Sequence, residues 1–359
     1  MEPPTVTAHD LFLLGGVFPE TTPAQSLRHV VAYAQAAESA GMDGAWVAEH
    51  HFIEYGANPS ATLMASHLLA ATERIQIGTA VAVLSNRHPV ALGEEAATLD
   101  ALAPGRFRLG VGRGGPWVDL DVFGAGLDRF ERGFEEGLRL LKRWLSGDEE
   151  VAHTGEFFDV LPVRVMPPGG GGPVWVAATG EGTARLAGRL GLPLLLGMHA
   201  SDEDHVKLLD AWRREAEDSG FDPEAAEHVS THLAQIADAP DGVERLRESL
   251  TELLERGVGQ YVSLKPSKAK RDHGAYVDWM IERHAVGTAG HVAEQLARSA
   301  ERTGVSRQLL MVEGMGDAHA VRENIGRLGE ALSRSRTAST AAPVRSEAAP
   351  AAADRARPA

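Results

Sequence analysis

The chain has 359 residues, of which 43% are hydrophobic and 24% charged, with a formal net charge of −15 and no cysteine. Disulfides, thiolate metal sites and a cysteine nucleophile are thereby excluded, and the acidity disfavours nucleic acid as a partner. No apolar run reaches the ~18 residues of a membrane span, and the opening MEPPTVTAHD lacks a basic stretch followed by an apolar one, so a cytoplasmic location is expected.

Strand-like and helix-like runs alternate along the chain. Residues 11–14 form a first apolar strand. Thr22, Pro23 and Gln25 then read as a helix start with a capping box, and apolar residues at helical spacing continue to Ala40 before Gly41. A second strand covers 45–48, and Asn58-Pro59 opens a helix running to Ala71. The third strand is one apolar run over 75–84, buried on both faces, in which Gly78 predicts a bulge or a close ligand approach. Residues 90–102 are helical, 107–111 make the fourth strand and 128–145 an amphipathic helix. Residues 147–173 break the rhythm and read as an excursion on the surface. The fifth strand covers 174–178, with a helix from about Gly182. The sixth covers 192–196, with a helix over 203–219, and the seventh 228–237, with a helix over 243–256. Residues 257–287 break the rhythm again, around the basic Lys265-Pro266-Ser267-Lys268-Ala269-Lys270-Arg271. A helix over 289–302, an eighth strand over 308–312 and a helix over 318–332 close the pattern.

Eight strand–helix units predict an α/β fold, a (β/α)8 TIM barrel over residues 1–333 with insertions after strands 4 and 7. The competing doubly wound sheet would want a GxGxxG after the first strand, and none is there. From 334 to 359 the composition falls to Ala, Pro, Ser, Thr and Arg, which predicts a disordered tail.

Polar residues cluster where such a barrel keeps its active site, at strand C-terminal ends. His50 and His51 follow the second strand beside Glu49. Strand alternation would send one ring toward the barrel axis and the other away, and the inward one could donate a hydrogen bond or act as general base. The competing reading is a packing or surface histidine. No metal is expected: Glu49, His50, His51 and His88 do not have HxH or HExxH spacing. Arg113 lies among the glycines of 110–115, where backbone can approach a ligand and a guanidinium can clamp a phosphate. The turn Ala178-Thr179-Gly180-Glu181-Gly182-Thr183 opens a helix and suits an anion. Together the two turns suggest a phosphate-bearing cofactor site, unless both are only turns. Trp46, Trp117, Trp175 and Trp212 are assigned to core or rim.

These residues resemble the bacterial luciferase-like flavin-dependent monooxygenases, and most of all the catalytic luciferase α subunit. The resemblance extends over nearly the whole chain, to about Leu332. It is carried by Glu49-His50-His51-Phe52 with Glu54 and Gly56, His67-Leu68-Leu69 with Ala71-Thr72-Glu73, and Gly78-Thr79-Ala80. His88-Pro89-Val90, Gly105-Arg106-Phe107-Arg108 and Val122-Phe123-Gly124 continue it, followed by Gly191-Leu192-Pro193 and Val286-Gly287-Thr288.

The resemblance implies a barrel that takes reduced FMN from a separate flavin reductase and, through a C4a-peroxyflavin formed with O2, oxygenates an organic substrate. His50 matches the family's catalytic histidine. Arg113, together with Thr179, Gly180 and Thr183, matches the FMN-phosphate site. Ala80-Val81 matches a non-proline cis peptide under the isoalloxazine, and 257–285 a mobile lid. His51, Gly112 and Met198 fall in the substrate pocket. There this chain departs from the α subunit: Gly112 replaces a reactive cysteine, Thr179 an acidic residue, and Met198 an aromatic wall. These departures argue against long-chain aldehydes and light emission and for a different, bulkier substrate. The Ala-, Gly- and Arg-rich composition hints at a secondary metabolite. A homodimer is implied. Two alternatives stand beside this reading. One is an F420-dependent oxidoreductase of the same fold. The other is a non-catalytic partner like luciferase β, against which His50 and Arg113 argue.

Overall fold

The computed structural model describes residue 6 and residues 8–170, 172–265 and 272–341, the last seven by backbone alone. In chain order the elements are β1 (Ala8–Leu13), α1 (Pro23–Ser39), β2 (Gly44–Val47), α2 (Ala61–Ala71), β3 (Gln76–Thr79), β4 (Ala82–Val83), α3 (Pro89–Leu102) and β5 (Phe107–Gly112). Then come α4 (Asp119–Val122), α5 (Gly126–Trp144), β6 (Glu150–Thr154), β7 (Asp159–Arg164), β8 (Val174–Ala178), α6 (Glu181–Arg189), β9 (Leu194–Leu196) and α7 (Asp202–Asp218). The chain continues through β10 (Val229–Ile236), α8 (Pro240–Gly257), α9 (His273–Arg283), β11 (Ala285–Gly287), α10 (Ala289–Thr303), β12 (Arg307–Met311) and α11 (Ala318–Ala341).

Parallel pairing runs β1–β2–β3–β5–β8–β9–β10–β12 and returns to β1, so eight strands close a TIM barrel. The local signals act as the sequence suggests. Thr22 and Gln25 form a reciprocal capping box with Pro23 in the first turn of α1, and Gly41 takes a left-handed φ of 74° just past its end.

The expected third strand is broken. β3 stops at Thr79, the Ala80–Val81 peptide is cis, and β4 pairs with β5 at Ala82↔Val111 and Val83↔Gly112. An apolar run carries no mark of a peptide isomer, so hydropathy reads 75–84 as continuous. The insertion after β5 carries α4, α5 and an antiparallel hairpin, β6 with β7, which is the excursion over 147–173. The insertion after β10 contains a helix and a strand that the sequence reading did not separate, α9 and β11. The Asp272 side chain caps α9 by accepting from Ala275 N at 3.0 Å. Residues 266–271 of the basic run lie outside the described residues. α11 continues past Arg334, where the tail was expected to begin, to Ala341, and 342–359 lie outside the described residues.

The barrel interior is filled by Trp46 and Trp175, edge to face at 5.3 Å, with Leu195, Val229 and Leu309. Gly78 makes room for this pair: a Cβ there would come within 2.3 Å of the Trp46 ring. Its role is therefore close packing of an indole, not the bulge or ligand approach expected from sequence. Gly110 serves backbone contact in the same way, since a Cβ there would meet Thr79 O at 2.1 Å. The Thr79 hydroxyl donates to Gly110 O at 2.7 Å and accepts from Gly110 N at 3.0 Å.

Outside the barrel wall four histidines are buried: His9, His205, His232 and His284. His232 Nε2 lies 2.9 Å from Ser230 Oγ. Burial pushes its pKa well down, and His284, His205 and His9 add to the shift. A ring held neutral in the fold and free to protonate when unfolded makes the unfolded chain bind more protons below about pH 6.5. Its contribution to stability is therefore present above that pH and lost below it. His232→Gln should flatten the fall of melting temperature between about pH 6.5 and 5 relative to the parent, measured by thermal denaturation in matched buffers. Identical slopes would show that His232 protonates as easily folded as unfolded.

Candidate active site

A cavity of about 470 Å³ opens at the C-terminal ends of the barrel strands, and most of its lining comes from strand ends and the loops beyond them. That is where a barrel of this type places chemistry.

Glu49 organises one side of the site. Its carboxylate is fully buried and accepts from Ala61 N at 2.9 Å, Val83 N at 3.1 Å and Arg87 at 3.1 Å, with His51 Nε2 at 3.4 Å. Burial alone would raise its pKa. The His51 hydrogen bond, the Arg87 charge and the two backbone N–H donors together outweigh burial and hold the carboxyl below the ordinary range. Arg87 also pairs with Glu95 at 2.8 Å, and His88 caps α3 by accepting from Val90 N at 3.2 Å. The polar cluster after β4 is thus largely architectural. Among the described residues no group of three or more His, Asp or Glu could hold a metal ion.

His50 and His51 both line the cavity. The expected inward–outward split fails because β2 ends at Val47: alternation is a property of extended strand and does not carry into the loop. His51 packs edge-on against Phe123, 4.9 Å between ring centres. His50 packs edge-on against Tyr55 at 5.1 Å, and its Nδ1 is buried without a hydrogen-bond partner. Burial, opposed by the Glu49 charge and reinforced by His51 and His199, pushes its pKa down to about 4. At neutral pH the ring is an uncharged imidazole.

Ala80, Val81, Thr179 and Met198 join the two histidines around the cavity. Met198 is buried, and its carbonyl accepts from His284 Nε2 at 2.9 Å. Gly112 lies behind this wall: a Cβ there would meet Val81 Cγ2 at 2.6 Å. The space of a side chain at 112 is therefore already taken by Val81.

Arg113, Gly180 and Thr183 sit outside the lining. β5 and β8 pair in register at Leu109↔Val174, Gly110↔Trp175 and Val111↔Val176, so Arg113 and the Thr179 turn leave neighbouring strands at the same height. The Arg113 guanidinium packs over Phe134 at 5.1 Å and Phe130 at 5.9 Å. Its Nε is buried without a hydrogen-bond partner, burial lowers its pKa, and no carboxylate pairs with it among the described residues. Gly180 caps α6, and a Cβ there would meet nothing within 4 Å. An unpaired cation beside an open helix N-terminus is a cradle that fits a phosphate.

Sequence reading did not assign Tyr55, Trp117 and Tyr261 to the site. Trp117 stacks on Tyr261 at 4.4 Å, and both line the cavity. Val118 N donates to Val262 O at 2.9 Å and Leu264 N to Pro116 O at 2.8 Å, tying part of the insertion after β10 across the opening. Loop aromatics have no periodicity to place them, and of the three only Trp117 was given a place, as core or rim.

The luciferase-like monooxygenase family model matches residues 9–307, and the chain belongs to that family. It is 26% identical over 317 residues to the alkanal monooxygenase alpha chain of Photorhabdus laumondii, covering 82% of this chain and 88% of that one. Among solved structures it is similar to monooxygenase RslO1 from Streptomyces bottropensis, with TM-score 0.80, 21% identity and coverage of 92% and 100%. A type II Baeyer–Villiger monooxygenase from Pseudomonas putida in complex with FMN superposes with TM-score 0.72 at 18% identity, covering 92% and 97%. An F420-dependent secondary alcohol dehydrogenase holding an F420–acetone adduct does so with TM-score 0.72 at 20% identity, covering 91% and 99%. These structural likenesses establish the fold. No described helix is long and apolar enough to cross a membrane.

Two outcomes follow from the geometry. Glu49→Gln should lower unfolding free energy by ~1–3 kcal/mol at neutral pH, because buried donors lose a charged acceptor. A depressed carboxyl stabilises above its unfolded pKa of about 4.5 and stops doing so as pH falls through the folded value. The difference between parent and variant in urea denaturation should therefore shrink toward acid, and a pH-independent difference would contradict the network. Gly112→Cys should cost ~1–3 kcal/mol by overpacking, and adding Val81→Ala should recover most of it. No recovery would show that Val81 is not what fills that space.

Proposed function

We propose that this protein is a two-component monooxygenase that uses reduced FMN and O2 to oxygenate a small organic substrate. The observation carrying the proposal is the pairing of a cavity edged by a neutral histidine with an unpaired Arg113 at the adjoining rim. Arg113 would bind the phosphate, with the Thr179 and Thr183 hydroxyls and the Gly180–Thr183 end of α6 completing the cradle. Ala80 and Val81 offer an apolar wall of the cavity for the ring system. When bound, reduced FMN supplies the electrons and the position at which O2 reacts.

The chain's own residues do the rest. His50, uncharged at neutral pH with its Nδ1 edge buried, can exchange a proton with groups in the cavity. His51, held by Glu49, and Met198 shape the substrate side, with Gly112 behind Val81. The stacked Trp117 and Tyr261 exclude water from the opening. A flavin reductase as supplier, a homodimer and a cytoplasmic setting belong to the same reading, and the departures at Gly112, Thr179 and Met198 support a substrate other than a long-chain aldehyde, such as a secondary metabolite.

The likeness to an F420-dependent dehydrogenase supports a second reading, hydride transfer with F420 at the same rim. Oxygen separates the two. Reduced FMN should bind more tightly than oxidised FMN, and mixing the complex with O2 should give a flavin absorbance transient. Rapid anaerobic turnover with F420 and no reduced-FMN binding would favour the second reading. At residue level, Arg113→Ala should weaken flavin binding by ~1.5–3 kcal/mol, while His50→Ala should lower kcat much more than flavin affinity. Equal flavin affinity in parent and Arg113→Ala, by equilibrium titration, would refute the phosphate role.

A further inference from the structure

Glu313, just beyond β12, is a buried carboxylate outside the cavity lining, 2% exposed. Its two oxygens accept from two consecutive backbone donors in the loop after β1, Gly15 N at 3.2 Å and Gly16 N at 3.1 Å. Among the described residues no Lys, Arg or His pairs with it, so these N–H groups are its compensation. A carboxylate with two acceptor oxygens suits two converging donors, whereas a glutamine would turn an NH2 toward one of them.

The loop it fixes carries the His50 environment. Gly15 O accepts from Ala57 N at 2.8 Å, and Val17 N donates to Glu54 O at 3.0 Å, so the 15–17 stretch is laced to 54–57. Gly56 in that second stretch faces both sides: a Cβ on it would lie 2.5 Å from His50 Nδ1 and 2.9 Å from Leu14 O. Tyr55 beside it packs edge-on against the His50 ring. The links run from Glu313 through Gly15 and Gly16 to residues 54–57 and so to the ring.

We propose that Glu313 is a positioning residue for His50, setting the imidazole through the loop after β1. It does not touch the cavity itself. The inference rests on His50 being the group that acts in the cavity.

Burial pushes the Glu313 carboxyl up to about 7, against the lowering effect of the Gly16, Gly15 and Leu14 N–H groups. Above that pH it is ionised and holds both donors. Below it one oxygen is protonated and the clamp loosens, so kcat should fall through about pH 7. The ionisable groups that feel its charge are Tyr33 on α1 and Tyr55, both raised by burial beyond the physiological range. Asp317 and Arg322 act on Tyr33 from the α11 side. On the α8 side the nearest side chains to the neighbouring Gly314 are Leu246 and Leu250.

The test uses the full chain labelled with ¹⁵N-histidine, free of flavin, in the parent, Glu313→Gln and Glu313→Asp. In Glu313→Gln the His50 resonances should shift, while those of the remote His228 stay put. Turnover should fall of the order of 10- to 100-fold, as expected for a misplaced reacting group, with flavin affinity unchanged and the kcat limb near pH 7 gone. Glu313→Asp, if it keeps the charge within reach, should restore part of the turnover and some of that limb. Unmoved His50 resonances and an unchanged pH profile in folded Glu313→Gln would overturn the inference. His50→Ala measured in parallel separates the two claims: retained turnover there would sink the role of His50, whatever Glu313 does.

Discussion

The site depends on one buried carboxylate that collects donors from four segments. Glu49 joins its own loop through His51, the start of α2 through Ala61, β4 through Val83 and the following turn through Arg87. A desolvated charge is costly unless every neighbour is arranged to face it, so this group fixes the loop after β2 relative to the broken third strand. His50 is next to it in sequence, and Val81 is two residues from its Val83 partner. Two of the segments that edge the cavity are thus held by the same anion.

Beneath that layer, two large rings join the branched aliphatic residues common in such barrels. Trp46 and Trp175 fill the interior, and Gly78 is what lets the indole fit. The same exchange of volume recurs higher up, where Gly112 yields to Val81. In both places a glycine marks close packing by a neighbour. This bears on the departure that the family resemblance implies at this position: where a cysteine would be expected at 112, the space is filled by Val81.

The strand–helix rhythm, the cap at Thr22 and the buried apolar strands were legible because they follow from local patterns, whereas the cap of α2 is Ser60 and not the Asn58 that precedes Pro59. What was not legible follows equally from physics. A peptide isomer leaves no hydropathic trace, so the apolar pattern reads residues 75–84 as one strand, and the cis Ala80–Val81 peptide was expected from the family resemblance alone. Alternation could not place His50 and His51, because β2 ends before them. Gly78 and Gly110 look alike in sequence whether the approaching group is a ligand, an indole or a carbonyl, and only packing tells them apart. Tyr55 and Tyr261 reach the cavity from loops, and Glu313 acts through backbone donors 297 and 298 residues away in sequence. Such partners carry no spacing rule. Arg113 and the Thr179 turn were recognisable because glycine-rich strand ends keep their local chemistry, and the register of β5 with β8 sets them side by side.

The central claim is that one rim of this barrel takes a flavin phosphate while the neutral His50 faces the reacting end. A crystal structure of the protein with FMN tests it most directly. The account predicts the phosphate within hydrogen-bonding distance of the Arg113 guanidinium and the Thr179–Thr183 turn, with the ring system against Ala80 and Val81 in the cavity that His50 lines. A phosphate bound elsewhere, or a ring system outside that cavity, would contradict it.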